Sequence, residues 1–363
     1  MGVVEQVRQF ARLPFLVPPR RIMSNKYRDL MTHLRATLID RTGTLVDPAV
    51  PNISVSQNIP SVIVWPGDFA QVCDAAVEEL VQRAQKLGRG IVLMYSGGLD
   101  SVCVSCALIK AGVKFTALGS VASVEENPEF YKKVLEKNPL VTTVTGNPLL
   151  FLADHPDEHV FVTGECGAHI MGTVLGWEAS GVVGDSDSGV VSRGGDSSAF
   201  SNPEPFFDVE EPLRSTLLSV LDHCPVPIKT NYDAHWWKIF ALKWQFVSFR
   251  MQLYAGQRSK ELFNFFMTDK FQQWALCNDV NVKCPGFDWR NYKMPMRDYI
   301  YAVSGDSKAA YETPKRYSLE RTYTKMARIG ETFILDGAGR DVGFLFDSTR
   351  DKVQQRLLIM EGS

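Results

Sequence analysis

The chain has 363 residues, 45% of them hydrophobic and 22% charged, with a formal net charge of −2. Such a chain can bury a large core in one large or two modest domains. Its near-neutral balance gives no general electrostatic footprint for nucleic acid, which weighs against that partner. No apolar run approaches the roughly 20 residues of a membrane span, so no membrane partner is expected.

Seven cysteines without a tight framework fit a reducing compartment. Glu5, Arg8 and Arg12 interrupt the N-terminus where a secretory signal would be continuously apolar. A cytoplasmic location is the expectation.

Residues 1–65 read as an irregular N-terminal extension or small β subdomain. Pro14, Pro18 and Pro19 break its start, Tyr27 to Ile39 suits a helix, and Arg41-Thr42-Gly43-Thr44 suits a turn. No function is legible there. Residues 66–205 carry sharper signals and form the expected α/β domain. Asp68 is placed to cap a helix. Phe69, Val72, Ala76, Leu80, Ala84 and Leu87 then recur every three or four residues as one apolar stripe, which Gly88 ends.

The apolar run Ile91 to Tyr95 reads as a buried strand, and Val102 to Ala111 as a buried helix closed by Gly112. Strands are expected at Val113 to Leu118, Leu140 to Thr145 and His159 to Thr163. Between them, Asn127-Pro128 opens a helix reaching about Lys137, and Pro148 to Ala153 suits a short one. Alternation of this kind predicts a parallel sheet with helices on both faces. Ligands in such sheets lie beyond the carboxyl ends of the strands. Residues 180–202, rich in Gly, Ser and Asp, read as a surface loop or lid. Residues 206–363 form a mainly helical C-terminal part and substrate region, dense in Trp and Phe from Phe206 to Ala275.

The most informative stretch is Ser96-Gly97-Gly98-Leu99-Asp100-Ser101, between the first strand and its helix. A glycine turn there leaves backbone N–H groups unpaired at the positive end of a helix dipole, an arrangement suited to a phosphate. The glycines allow positive φ and close approach, and Ser96 and Ser101 add hydroxyl donors. Asp100 is repulsive beside phosphates unless a divalent cation bridges them. ATP with Mg²⁺ resolves that conflict. Neither the Gly-Lys-[Ser/Thr] ending of a Walker loop nor the three spaced glycines of a dinucleotide fingerprint is present.

The hexapeptide resembles the pyrophosphate loop of the N-type ATP pyrophosphatases, which split ATP between its α and β phosphates and adenylate a substrate. A second segment, Thr163-Gly164-Glu165-Cys166-Gly167-Ala168-His169-Ile170-Met171-Gly172, is similar to the Ser-Gly-Glu-Gly-x-Asp-Glu-x-x-Gly element of the asparagine synthetase family's synthetase domain. Arg258, Phe265 to Thr268, Phe271 and Trp274 have the shape of a further block of that family. Lys293-Met294-Pro295-Met296-Arg297 is similar to its Lys-x-x-Leu-Arg segment. The resemblance spans roughly residues 66 to 320 and weakens beyond Gly172.

That resemblance implies an adenine nucleotide alpha hydrolase-like fold and an ATP-dependent carbon–nitrogen ligase, which forms an acyl-adenylate and then an amide. Tyr95, Leu118, Thr163 and Gly164 would line the adenosine. Ser96, Gly97, Gly98, Leu99 and Ser101 would cradle the phosphates, with Asp100 a Mg²⁺ ligand. Glu165 would accept the proton of the attacking amine, and Lys293 would neutralise the charge on pyrophosphate. The family's second acidic metal ligand aligns with Ala168 and the next glutamate with His169, and imidazole is a poor ligand for Mg²⁺. The family's N-terminal glutaminase, with its nucleophilic cysteine, has no counterpart after Met1-Gly2. The partners implied are therefore a small-molecule carboxylate and an amine that is free, part of the substrate, or delivered by a separate amidotransferase subunit. Two alternatives stand beside this one: a related enzyme amidating or thiolating a nucleobase or nucleoside, and an ATP-binding scaffold without catalysis.

Other residues draw blander readings. Cys103 and Cys106 lie on an all-apolar helix and suit core packing. Cys166 lies in a site turn, His155 and His159 flank Pro156, and His235, Trp236, Trp237 and Trp244 suit helix core. Arg250, Lys315 and Arg316 suit solvated charges.

Overall fold

The computed structural model describes residues 41–42, 59–61, 67–146, 151, 155, 157–172, 213–242, 262–285, 291–312, 333–335 and 341–344. The expected helices at Tyr27 to Ile39 and Pro148 to Ala153, the 180–202 loop, and Trp244, Arg250, Arg258, Lys315 and Arg316 lie outside those residues, Phe151 apart.

Helix α1, Phe69–Leu87, starts where the apolar stripe starts. Asp68 caps it with a reciprocal box: its carboxylate accepts from the Gln71 N–H at 2.9 Å, and the Gln71 side chain accepts from the Asp68 N–H at 2.9 Å. Gly88 ends it in left-handed backbone at φ +64°. Strand β1, Gly90–Tyr95, follows at once, then helix α2, Leu99–Lys110, and strand β2, Phe115–Gly119. Two short helices, α3 (Val121–Glu126) and α4 (Pro128–Phe130), run into a π-helical turn at Tyr131–Leu135 and reach strand β3, Val141–Thr145. Asn127 accepts from the Phe130 N–H at 3.3 Å, so the Asn-Pro start predicted from sequence is present.

Strand β4, His159–Thr163, is followed by the single-turn helix α5, Gly167–Met171. Helices α6 (Leu213–Asp222) and α7 (Asn231–Leu242) come next. The mainly helical part expected from residue 206 onward is interrupted by strand β5, Leu262–Asn264, which pairs with β4 in the register Thr163 to Asn264. A 3₁₀ turn at Phe265–Met267 leads into α8 (Asp269–Cys277), α9 (Val280–Lys283) and α10 (Met294–Ser304). A second π-helical turn spans Lys308–Glu312, and β6 (Phe333–Leu335) pairs antiparallel with β7 (Asp341–Phe344).

The protein is thus an α/β fold on a five-stranded parallel sheet of order β3-β2-β1-β4-β5. The central strands β1 and β4 read as near-continuous apolar runs because both faces are buried there, whereas the edge strand β3, Val-Thr-Thr-Val-Thr, is half exposed. One face holds Ile91, Leu93, Tyr95, Val160 and Val162 against α1, α2, α8 and α10; the other holds Val92, Leu118, Phe161 and Leu262. Among the described residues, the helices contribute to the first face, and Phe151 joins the second. Phe69 of α1 packs on Phe271 and Trp274 of α8 with centroids 5.7 and 5.2 Å apart, so the C-terminal helices share one core with the sheet.

None of the seven cysteines forms a disulfide. Cys103 and Cys106 are fully buried, as the core reading expects, and so are Trp236 and Trp237. Among the described residues no helix is long and apolar enough to cross a membrane. His155 and His159 stack with Phe151 at the amino end of β4, with centroids 4.5 and 6.0 Å from its ring. Lys283 of α9 is buried with its ammonium 3.5 Å from the centroid of the Trp236 indole.

Candidate nucleotide site

The chain leaves β1 for β2 and β3 on one side and returns to β4 on the other. The carboxyl ends of β1 and β4 therefore flank the topological switch point, where open parallel sheets bind ligands. Both glycine-containing turns singled out in the sequence lie there.

After β1, Ser96, Gly97 and Gly98 make the whole turn into α2. Gly97 has φ +80°, and a Cβ on it would meet the Ser123 carbonyl oxygen at 2.2 Å, so only glycine fits. The Ser101 hydroxyl donates to the Gly98 carbonyl at 3.0 Å and accepts from the Ser96 N–H at 3.2 Å, with the Ser96 hydroxyl 3.1 Å away. Both serines brace the turn from within. The amides of Leu99, Asp100 and Ser101 make no hydrogen bond among the described residues, as first-turn amides do. The Tyr95 side chain is buried beside Tyr131, so only its main chain borders the turn. Burial holds its phenol well above the ordinary tyrosine range. Leu118, paired with Met94, is packed in the second-face cluster.

The turn after β4 rests directly on α2. Thr163 accepts the Glu165 N–H on its hydroxyl at 2.8 Å, fixing the chain as it leaves the strand. A Cβ on Gly164 would lie 2.7 Å from the Asp100 carbonyl carbon, and one on Gly167 would lie 2.2 Å from the Asp100 carboxylate. Glu165 is held between these two glycines, beside the first turn of α2. Cys166 takes left-handed backbone at φ +71° to start α5.

Lys293 completes the group. Its ammonium lies 2.5 Å from Asp100 Oδ1, with the Lys293 side chain 6% exposed and that of Asp100 32%. Lys293 also has left-handed backbone, φ +60°, as the residue from which α10 starts. Helix α10 runs alongside α2 in the same direction: their first turns meet at this pair, and Lys110 lies over Tyr299 farther along, 5.6 Å from its centroid. Two helix N-termini therefore converge on one place.

Three residues of the site carry no sequence signal. Glu126, at the end of α3, is buried with Oε1 3.5 Å from where a Cβ on Gly98 would stand. Asn264 ends β5 beside Thr163. Arg41 donates to the Phe240 carbonyl at 3.1 Å and to the Gln272 side chain, and interacts electrostatically with Cys166 and Asp269.

Among the described residues, no three His, Cys, Asp or Glu side chains are grouped to hold a metal. Asp100 Oδ1 is engaged by Lys293, and Ala168 has no side-chain oxygen to offer. The donor set therefore suits a magnesium ion that arrives on substrate phosphates, since Mg²⁺ commonly takes one or two carboxylates and completes its shell with phosphate and water.

Fold and site together define a parallel α/β protein with a glycine turn, a buried lysine paired with a half-buried aspartate, and a glutamate turn at its switch point. No protein-family model matches the chain, and none of the curated proteins matches it at a significant level.

Proposed function

We propose that the protein is a cytoplasmic ATP-dependent carbon–nitrogen ligase with an adenine nucleotide alpha hydrolase-like fold, similar to the synthetase domain of the asparagine synthetase family. One observation carries this reading. Residues far apart in the chain, Asp100, Glu165 and Lys293, meet at the amino end of a single helix opened by the Ser-Gly-Gly turn. The sheet order and the position of that turn at the switch point support it.

In the proposed reaction, a carboxylate oxygen of the substrate attacks the α-phosphorus of ATP. The bond to the β-phosphate oxygen breaks and pyrophosphate leaves. An amine then attacks the acyl carbon, the carbon–oxygen bond to AMP breaks, and the amine's surplus proton passes to Glu165. The amides at the start of α2 hold the phosphates, and Lys293 neutralises charge that grows on the departing pyrophosphate. Magnesium bound with the nucleotide would be held at Asp100 and would supply further charge neutralisation. A positioned proton acceptor contributes ~10²–10⁴-fold in rate, and the remaining acceleration comes from holding the reactants together.

The test is pyrophosphate and AMP formation from ATP over a panel of amino acids, nucleosides and short peptides with ammonia or an amine present. A carboxylate-dependent signal that Asp100→Ala abolishes is the expected result. Nucleoside-dependent turnover would favour the nucleoside-modifying alternative, ATP binding without turnover would favour a scaffold, and undiminished turnover in Asp100→Ala would contradict the metal-ligand assignment.

A further inference from the structure

Cys166 and Lys293 are the two non-glycine residues with positive φ among those described, and both stand in the turns of the site. Left-handed backbone at a residue with a side chain is strained and persists only where its surroundings hold it. What holds Lys293 is visible. The Tyr292 hydroxyl donates to the Gly172 carbonyl at 2.9 Å, just past the end of α5. Arg297 grips the Tyr292 carbonyl with Nε at 2.9 Å and the Ala310 carbonyl with Nη1 at 2.8 Å. The Lys293 carbonyl accepts the N–H groups of Met296 and Arg297, each at 3.0 Å.

These contacts close a ring. The Lys293 ammonium meets Asp100, Asp100 abuts Gly167, α5 leads from Gly167 to Gly172, and Gly172 returns through Tyr292 to Lys293. Tyr232 donates to the neighbouring Met171 carbonyl, and a Cβ on Gly172 would lie 2.7 Å from its hydroxyl, so it braces the same end of α5.

We infer that Tyr292 is a positioning residue, whose hydroxyl bond to Gly172 holds Lys293 in the backbone conformation that delivers its ammonium to Asp100. The ring is independent of the reaction; only its catalytic meaning rests on the ligase reading.

The experiment uses the full chain and the rate at which acetic anhydride acetylates Lys293, followed by peptide mass spectrometry against exposed Lys137. Tyr292→Phe keeps the aromatic side chain and removes the one hydroxyl that bonds Gly172. It is expected to raise Lys293 reactivity about fivefold, the population change that one hydrogen bond of ordinary strength permits. Tyr299→Phe, on the same helix, removes a buried hydroxyl that has no hydrogen-bond partner among the described residues, and is expected to leave Lys293 reactivity within about twofold. Should Tyr292→Phe fail to fold, Arg297→Lys, which loosens the grip on the same residue, is read the same way. Unchanged Lys293 reactivity in Tyr292→Phe, or an equal rise in Tyr299→Phe, overturns the positioning role. A kinetic arm separates the two claims. If the wild-type chain makes no pyrophosphate, the ligase reading falls and the labelling still decides; if it does, Tyr292→Phe should lower kcat more than it raises KM for ATP.

Discussion

Lys283 shows how one buried charge shapes a property of the whole chain. Burial pushes its ammonium from the ordinary 10.5 down to about 7, with Asp233 and Asp279 opposing. Between those two pH values the unfolded chain holds a proton that the folded chain has released, so stability rises with pH across the window. Below about pH 7 both states are charged and the desolvation cost is fully present. Lys283→Met, which fills similar volume without charge, is therefore expected to unfold at higher urea than wild type at pH 6, with the gap narrowing toward pH 10. Parallel pH dependences in the two proteins would contradict the assignment. The cation–π contact with Trp236 offsets part of the cost at low pH.

At the scale of elements, the site is one turn laid on one helix, and small residues permit the contact. Gly167 has no positive φ; what excludes a side chain there is the Asp100 carboxylate, 2.2 Å from where a Cβ would stand. Gly167→Ala should fold and should displace that carboxylate. A loss of about tenfold in ATP affinity, ~1.4 kcal/mol, is expected by calorimetry with magnesium present; unchanged affinity would mean that Asp100 does not contact the nucleotide or its metal. This is also where sequence reading succeeded. Apolar runs ended by glycine mark β1, α2 and β4, and the Ser-Gly-Gly turn and Thr163-Gly164-Glu165 stand out because backbone geometry, which glycine reports, makes them. Glu126 stayed hidden because its place beside Gly98 depends on how α3 packs, and no local pattern encodes that.

Across the whole molecule, the sheet is completed from far along the chain. Leu262-Phe263-Asn264 runs straight into Phe265-Phe266, so its aromatic density reads as helix core, and pairing with β4 is what makes it a strand. Sequence periodicity cannot show that, because three residues contain no period. Without β5, α8 and α10, β4 becomes a bare edge and Phe69 loses Phe271, Trp274 and Tyr299. A chain ending at residue 261 is accordingly expected to lack a cooperative thermal transition by calorimetry, and a cooperative one would show that the first four strands fold unaided.

The shared starting point of α2 and α10 reaches beyond contact distance. The first turn of α2 leaves its amides unspent beside the Lys293 ammonium from which α10 starts, so on the proposed reading an approaching nucleotide would meet a local positive field on a molecule whose formal net charge is −2. Capture of that nucleotide would then be guided by the main chain as well as by Lys293, and added salt would slow it, the Debye length being roughly 10 Å at 0.1 M.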